Sequence, residues 1–261
     1  MTAAAKQLLS EQELDRQAEQ ELLDEARDVI EGLELRLQEL RTGTLDAEGA
    51  ARLLKQDISN LRLKCRSVAV PGLGAMTHRL DDYLSNLSTI EPRHIGDLQT
   101  FGDRIGRLLD GEEVGETEIA TVVRDLPANA SFDVGEVTIT DVEATLIVPQ
   151  RSAARVVARE LAACGYRVST VLDPIEALEL ILETRPDFVI TSMVMPRMSG
   201  VDLACALNAM PATKTIPVAL LTSLEPGHPD LAPLPMNTGL IRRGPQFGDD
   251  LADVLQRFGI T

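Results

Sequence analysis

The feature that most constrains this chain is a change of hydrophobic period near its middle. Up to about residue 110, apolar side chains recur at steps of three and four, the spacing that lines one face of a helix. Beyond residue 143, short Val/Ile/Leu runs alternate with amphipathic segments, which is the rhythm of strands joined by helical crossovers. A 261-residue chain with 44% hydrophobic and 25% charged residues has enough apolar material for two cores. The sequence therefore predicts a multidomain protein, an antiparallel helical bundle over 1–110 and a doubly wound five-strand parallel sheet over 143–261. Residues 111–142 gain turn formers, lose periodicity and read as a linker, with a short helix allowed at Thr117–Arg124.

In the first region Ser10 and Glu13 have the spacing of a capping box, and Leu22, Ala26, Val29, Leu33, Leu37 and Leu40 form the stripe of one long helix. Leu54, Ile58, Leu61 and Cys65 make a second stripe. A third runs through Leu73, Met76, Leu80, Tyr83/Leu84 and Leu87, and a fourth through Ile95, Leu98, Phe101/Gly102, Ile105 and Leu109 after Pro92. No stripe can bury itself alone, so four of them predict helices packed face to face.

Charge removes several classes of function. The chain has 41 acidic and 25 basic residues, a formal charge of −16, with no Trp, two Tyr and five Phe. A nucleic-acid reader needs a basic stripe and bases need aromatic platforms, so that class is disfavoured. No apolar run approaches the ~20 residues of a membrane helix, and the first residues lack the apolar core of a secretory signal. A cytoplasmic protein is expected. Cys65, Cys164 and Cys205 form no Cys-x-x-Cys pair, and His78, His94 and His228 have no metal-ligand spacing. There is no Gly-x-Ser-x-Gly elbow, no Walker loop and no dinucleotide fingerprint, so neither an enzyme nor a bound cofactor is expected.

The second region carries a resemblance. Thr145–Val148, Gly165–Val171, Phe188–Thr191 and Ile216–Thr222 read as successive strands. Pro186-Asp187-Phe188-Val189-Ile190 precedes Met195-Pro196-Arg197-Met198-Ser199-Gly200. Order and spacing resemble the receiver domain of two-component response regulators over roughly 144–261, most specifically as far as Thr222. The resemblance implies functional groups at the carboxyl ends of the strands: two carboxylates for Mg²⁺ after the first, a phosphoacceptor aspartate after the third, a hydroxyl after the fourth and a lysine after the fifth. This chain departs from that set. Pro149 and Gln150 stand at the acidic pair, Ser192 at the phosphoacceptor, and Arg243 or Arg242 at the lysine; Thr222 alone matches.

Mg²⁺ prefers anionic oxygen ligands, and a neutral serine hydroxyl is a poor nucleophile toward phosphorus. A degenerate phosphorylation pocket of Pro149, Gln150, Ser192, Thr222 and Arg243, without metal, is the expectation, with Ser192 a small residue closing it rather than a phosphosite. Arg243 reads as a solvated arginine, with an anion ligand as the alternative.

Residues 61–67, Leu61-Arg62-Leu63-Lys64-Cys65-Arg66-Ser67, are similar to the His-x-Leu-Lys-Gly-x-Ser segment of histidine phosphotransfer domains, with Leu61 at the histidine and Cys65 at the glycine. His78 lies off the third stripe and is expected to be exposed, as a phosphoacceptor must be, although Asp81 and Asp82 one turn on would repel a phosphoryl group. His94 reads as a helix-start residue. The functional expectation is a non-catalytic signalling adaptor that binds histidine kinases, phosphotransfer proteins, response regulators or a second copy of itself. A phosphorelay through His78 and sensing of a small anion in the vacated pocket are the alternatives.

Overall fold

The computed structural model describes residues 3–66, 68–128 and 140–260. The chain forms two compact units, Met1–Pro127 and Ala128–Thr261. The helical unit contains α1 (Ala3–Thr42), α2 (Ala47–Cys65), α3 (Leu73–Ser85), α4 (Pro92–Leu109) and α5 (Glu116–Asp125). α1 packs against α2 and α4, and α3 against α2, α4 and α5. The stripes read from the sequence are the buried faces: Ala26, Leu33 and Leu37 on α1, Leu54, Ile58 and Leu61 on α2, Met76, Leu80 and Leu84 on α3, and Leu98, Phe101 and Ile105 on α4.

Local chemistry sets the helix ends. The Asp46 carboxylate accepts from the Gly49 amide at 2.7 Å and caps α2. Gly72 has φ +82° where the chain turns into α3, a conformation that carries no steric cost for glycine. Pro92 opens α4, where its missing N–H would have had no partner. Two expectations change. The capping box at Ser10 is not a helix start, because backbone hydrogen bonding carries α1 back to Ala3 and leaves Ser10 inside the helix. The short helix allowed at Thr117–Arg124 forms as α5, but it packs on α3 with Ile119, Val123 and, just beyond it, Leu126 buried, so this part of the segment read as a linker belongs to the bundle; residues 129–139 lie outside the described residues.

The second unit contains β1 (Glu143–Ile147), α6 (Arg151–Ala163), β2 (Arg167–Val171), α7 (Pro174–Thr184), β3 (Phe188–Ser192), α8 (Gly200–Ala209), β4 (Val218–Thr222), β5 (Gly239–Arg242) and α9 (Phe247–Phe258). All strand pairs are parallel and the order is β2-β1-β3-β4-β5, with the chain reversing direction of travel across the sheet between β1 and β3. β1, β3 and β4 are buried along their whole length, as strands covered on both faces must be. Leu146, Phe188, Ile190 and Leu221 form one core with Val157 and Leu161 of α6 and Leu251 and Leu255 of α9. Between β4 and β5 the regular alternation breaks. Pro226, Pro229, Pro233 and Pro235 forbid a continuous helix, and only a 3₁₀ turn at Pro229–Leu231 forms there, anchored by Leu231 beside Leu220 and Val201.

Candidate functional site

A parallel sheet delivers every strand's C-terminus to the same edge, and in doubly wound folds ligands bind there. The loops after β1, β3, β4 and β5 place Pro149, Gln150, Ser192, Thr222 and Arg243 on that edge. Register pairs Ser192 with Leu221 and Thr222 with Arg242, so the ends of β3, β4 and β5 lie side by side. Gly200 fixes the loop after β3: its amide donates to the Met193 carbonyl at 2.9 Å, and a Cβ there would lie 2.3 Å from the Ser192 carbonyl oxygen. Only glycine lets α8 start so close to β3.

The two arginines after β5 have different fates. Arg242 is held by Asp250 of α9 through Nε–Oδ2 and Nη2–Oδ1 contacts of 2.9 and 2.8 Å, with Glu225 at 3.5 Å. Those hydrogen bonds hold the Asp250 carboxyl below the usual carboxylate range. Arg243 turns the other way. Its Nη2 donates to Ser192 Oγ at 2.7 Å, and its backbone amide donates to the Thr222 carbonyl at 3.0 Å. The geometry thus separates the two: Arg243 occupies the edge with Ser192, and Arg242 braces α9.

Ser192 and Thr222 are 2% and 3% exposed. The Ser192 hydroxyl faces the Val194 carbonyl at 3.5 Å, and the Thr222 hydroxyl faces the Met193 sulfur at 3.2 Å while accepting from the Leu224 amide at 3.1 Å. Pro149 is half-buried. Gln150 is exposed and precedes α6 without a side-chain cap. Asp173, after β2, caps α7 by accepting from the Ile175 and Glu176 amides and pairs with Arg197, a contact the sequence reading missed. Arg197 lies in the Met195–Gly200 loop with φ +69°, and that conformation is not encoded in any pattern of residue types.

These donors do not fit a divalent magnesium ion. The positions after β1 and at the end of β3 offer a backbone carbonyl, a side-chain amide and a hydroxyl, with no carboxylate, and the hydroxyl already accepts from the Arg243 guanidinium. Among the described residues no cluster of three or more His, Cys, Asp or Glu side chains is placed to hold a metal.

Residues 146–230 match the response regulator receiver domain. Similar proteins include the transcriptional regulatory protein PrrA of Mycobacterium leprae, 40% identical over 65 residues, a stretch that is 25% of this chain and 27% of PrrA. The response regulator PleD of Caulobacter vibrioides is 35% identical over 71 residues, 27% of this chain and 16% of PleD. The chain therefore spans well under half the length of these two relatives. The receiver domain of a histidine kinase from Syntrophus aciditrophicus shares 26% identity over 45% of this chain and 90% of its own, with a TM-score of 0.41.

In the helical unit, the structure corrects one expectation directly. His78 is not exposed but 3% accessible, beside the equally buried Thr77 and Arg79. Helical periodicity assigned it to solvent because one stripe was counted. α3, however, packs against three helices and buries Leu73, Ala75, Met76, Thr77, His78, Arg79 and Leu80 on nearly its whole circumference. An imidazole so placed cannot meet an incoming phosphoryl group. Leu61 and Cys65, aligned with the phosphotransfer motif, sit at 2% and 3% on the core face of α2, and burial pushes the Cys65 thiol up to about 11. Ser67 of that motif lies outside the described residues. Asp81 pairs with Arg62 at 2.7 Å and accepts from the Ser59 hydroxyl at 2.6 Å. His94 is at the start of α4, where its Nδ1 accepts from the Glu91 amide at 3.0 Å; burial, reinforced by Arg93, holds its pKa below the ordinary value.

Proposed function

We propose that this protein is a non-catalytic two-component signalling adaptor whose receiver region is not phosphorylated in the receiver manner. The observation that carries this reading is the set of groups at the strand ends: Pro149, Gln150 and Ser192 in the places of the metal-binding and phosphoacceptor carboxylates. Phosphoryl transfer is catalysed chiefly by positioning and charge neutralisation around the moving group. A cup with no carboxylate to hold a metal and a neutral hydroxyl bonded to Arg243 supplies neither an activated nucleophile nor a divalent clamp.

Regulation then runs through contact surfaces, in the cytoplasm, with histidine kinases, phosphotransfer proteins or response regulators as partners. α6 supports a docking role. Arg151 and Arg155, one turn apart, are exposed on one face of it, and Val156 on the adjoining flank is 62% exposed, so the helix offers both positive charge and apolar area in a strongly acidic chain.

The test is incubation of the full chain with acetyl phosphate and Mg²⁺, read by intact mass. No phosphoryl adduct is expected, and binding to purified two-component proteins of the same organism should be indifferent to the phosphodonor. Stoichiometric phosphorylation at Ser192, or failure to bind any of those proteins, overturns the proposal.

A further inference from the structure

Charge in the helical unit is sorted by helix. Residues 21–31 of α1 hold five acidic side chains and one basic, Arg27, whereas residues 52–66 of α2 hold five basic and one acidic, Asp57. Few of these opposites meet between the two helices of one protomer: Lys64 pairs with Glu25, and Asp57 with Arg36 at 2.6 Å. Asp28 and Glu31 on α1 and Arg52 on α2 are exposed and make no ion pair among the described residues.

The same two helices carry exposed apolar area. Leu14, Leu35 and Leu63 are 63%, 56% and 66% exposed, and among the described residues of this unit they are the only large apolar side chains left open to solvent. All three lie on α1 or α2. At 100° per residue, Asp24, Asp28, Glu31 and Leu35 lie opposite the buried stripe of Ala26, Leu33 and Leu37. Arg52, Ser59, Leu63 and Arg66 likewise lie opposite Leu54, Ile58 and Leu61 on α2. One outward face is therefore half acidic and half basic, with leucines in both halves.

A second copy of this chain presents the complement to both halves at once. Glu25 is level with Lys64 and Arg36 with Asp57, so the two helices run antiparallel. A two-fold axis lying in the face and parallel to both helices sets α1 of one copy over α2 of the other without changing those levels. Asp24 and Asp28 of one copy then meet Arg66 and Arg62 of the other, twice over. The shared length is the 19 residues of α2, about 28 Å, and two helices side by side are about 20 Å wide. Such a face covers roughly 600 Å² per protomer, the low end for a specific interface, and so fits a reversible association rather than a permanent one.

We propose that the outward face of α1 and α2 is the self-association surface of this protein, forming a reversible two-fold dimer in which α1 of each copy lies antiparallel along α2 of the other. This goes beyond the adaptor reading and does not depend on the groups at the sheet edge. Charge selects the partner and the register, since exposed ion pairs add little net affinity, while covering Leu35 and Leu63 supplies the gain.

The experiment is sedimentation equilibrium on the full chain from about 5 to about 200 μM, a range that spans the micromolar association expected of so small a face. A monomer–dimer equilibrium is expected. Arg66→Glu, and separately Asp24→Lys with Asp28→Lys, should each weaken it tenfold or more, because symmetry counts every reversal twice. Circular dichroism checks that both variants remain folded. Mixed in equal amounts, the two variants should recover the dimer, since each then meets the opposite charge; a merely structural effect of either substitution would not be rescued. Met236→Asp, 98% exposed in the sheet unit, should leave the equilibrium unchanged. A chain that stays monomeric throughout, a dimer undiminished in folded Arg66→Glu, or a variant mixture that remains monomeric overturns the proposal. A monomer that instead binds a purified two-component protein, with that binding lost in Arg66→Glu, also overturns it and leaves the adaptor reading standing. Phosphorylation by acetyl phosphate would sink the adaptor reading without touching this measurement.

Discussion

The helical unit and the sheet unit both bury polar side chains, and they do so for opposite reasons. In the bundle, Thr77, His78, Arg79 and His94 lie along helices, wherever packing against neighbours happens to cover them. Thr77 bonds back to the Leu73 carbonyl at 2.8 Å, and His94 completes a helix cap, so these two groups bond within the helices that carry them. In the sheet unit, Ser192 and Thr222 end adjacent parallel strands and are brought to one edge by three different segments of chain. A bundle of antiparallel helices divides its ends between the two poles, whereas a parallel sheet collects all its strand ends at one. Groups remote in sequence therefore converge in the second architecture and not in the first.

Several measurements would break or sharpen this contrast. The largest effect is expected for Phe101→Ala, which empties a fully buried aromatic site in the bundle. It should cost about 3–5 kcal/mol in urea unfolding of the helical unit, while the urea midpoint of the sheet unit stays near wild type. Gly200→Ala comes next. Its methyl group would meet the Ser192 carbonyl and Leu220, so a loss of about 3 kcal/mol in urea unfolding of the sheet unit is expected.

The two arginines after β5 provide a subtler comparison. Arg242→Ala should lower the urea midpoint of the sheet unit by leaving Asp250 without its bidentate partner, and Arg243→Ala should leave that midpoint near wild type. If the Arg243 variant unfolds as readily as the Arg242 variant, Arg243 is structural and the distinction between them fails. Asp46→Ala, removing the cap of α2, should cost about 1 kcal/mol.

The smallest effect is a pH dependence in the bundle. His94 has a folded-state pKa below its unfolded value of 6.5, so the unfolded chain takes up the proton first. Stability of the helical unit should be unaffected by this group above pH 6.5 and should fall as the pH descends from there toward the lowered folded value. His94→Gln, which has no such titration, should show a shallower decline between pH 7 and 5 by urea unfolding. Equal slopes would remove His94 from the account of that cap.

Much of this was legible along the chain. The stripes through Leu33, Ile58, Leu80 and Leu98 are a local code, since one face of one helix suffices to read them, and the structure buries those residues. The strand ends at Ser192 and Thr222 were legible because alternating short apolar runs and turn residues place a strand's last residue to within a position or so. His78 was misread for the same reason that the stripes were read well: periodicity describes a helix with one covered face, and α3 has three helical neighbours, one of them the α5 segment that composition marked as a linker. The extension of α1 through Ser10 escaped notice because capping spacing inside a helix looks identical to capping at its start.

By itself, the sequence determined the two architectures, their order, and the identities of Pro149, Gln150 and Ser192 beside the strand ends, because hydrophobic period and residue identity are properties of the chain read in one direction. Tertiary structure alone decided which of two adjacent arginines faces the cup, that His78 is enclosed, and that Ser192, Thr222 and Arg243 share one edge. Those outcomes depend on distances between segments tens of residues apart, and such distances are set only when the faces of different elements pack together.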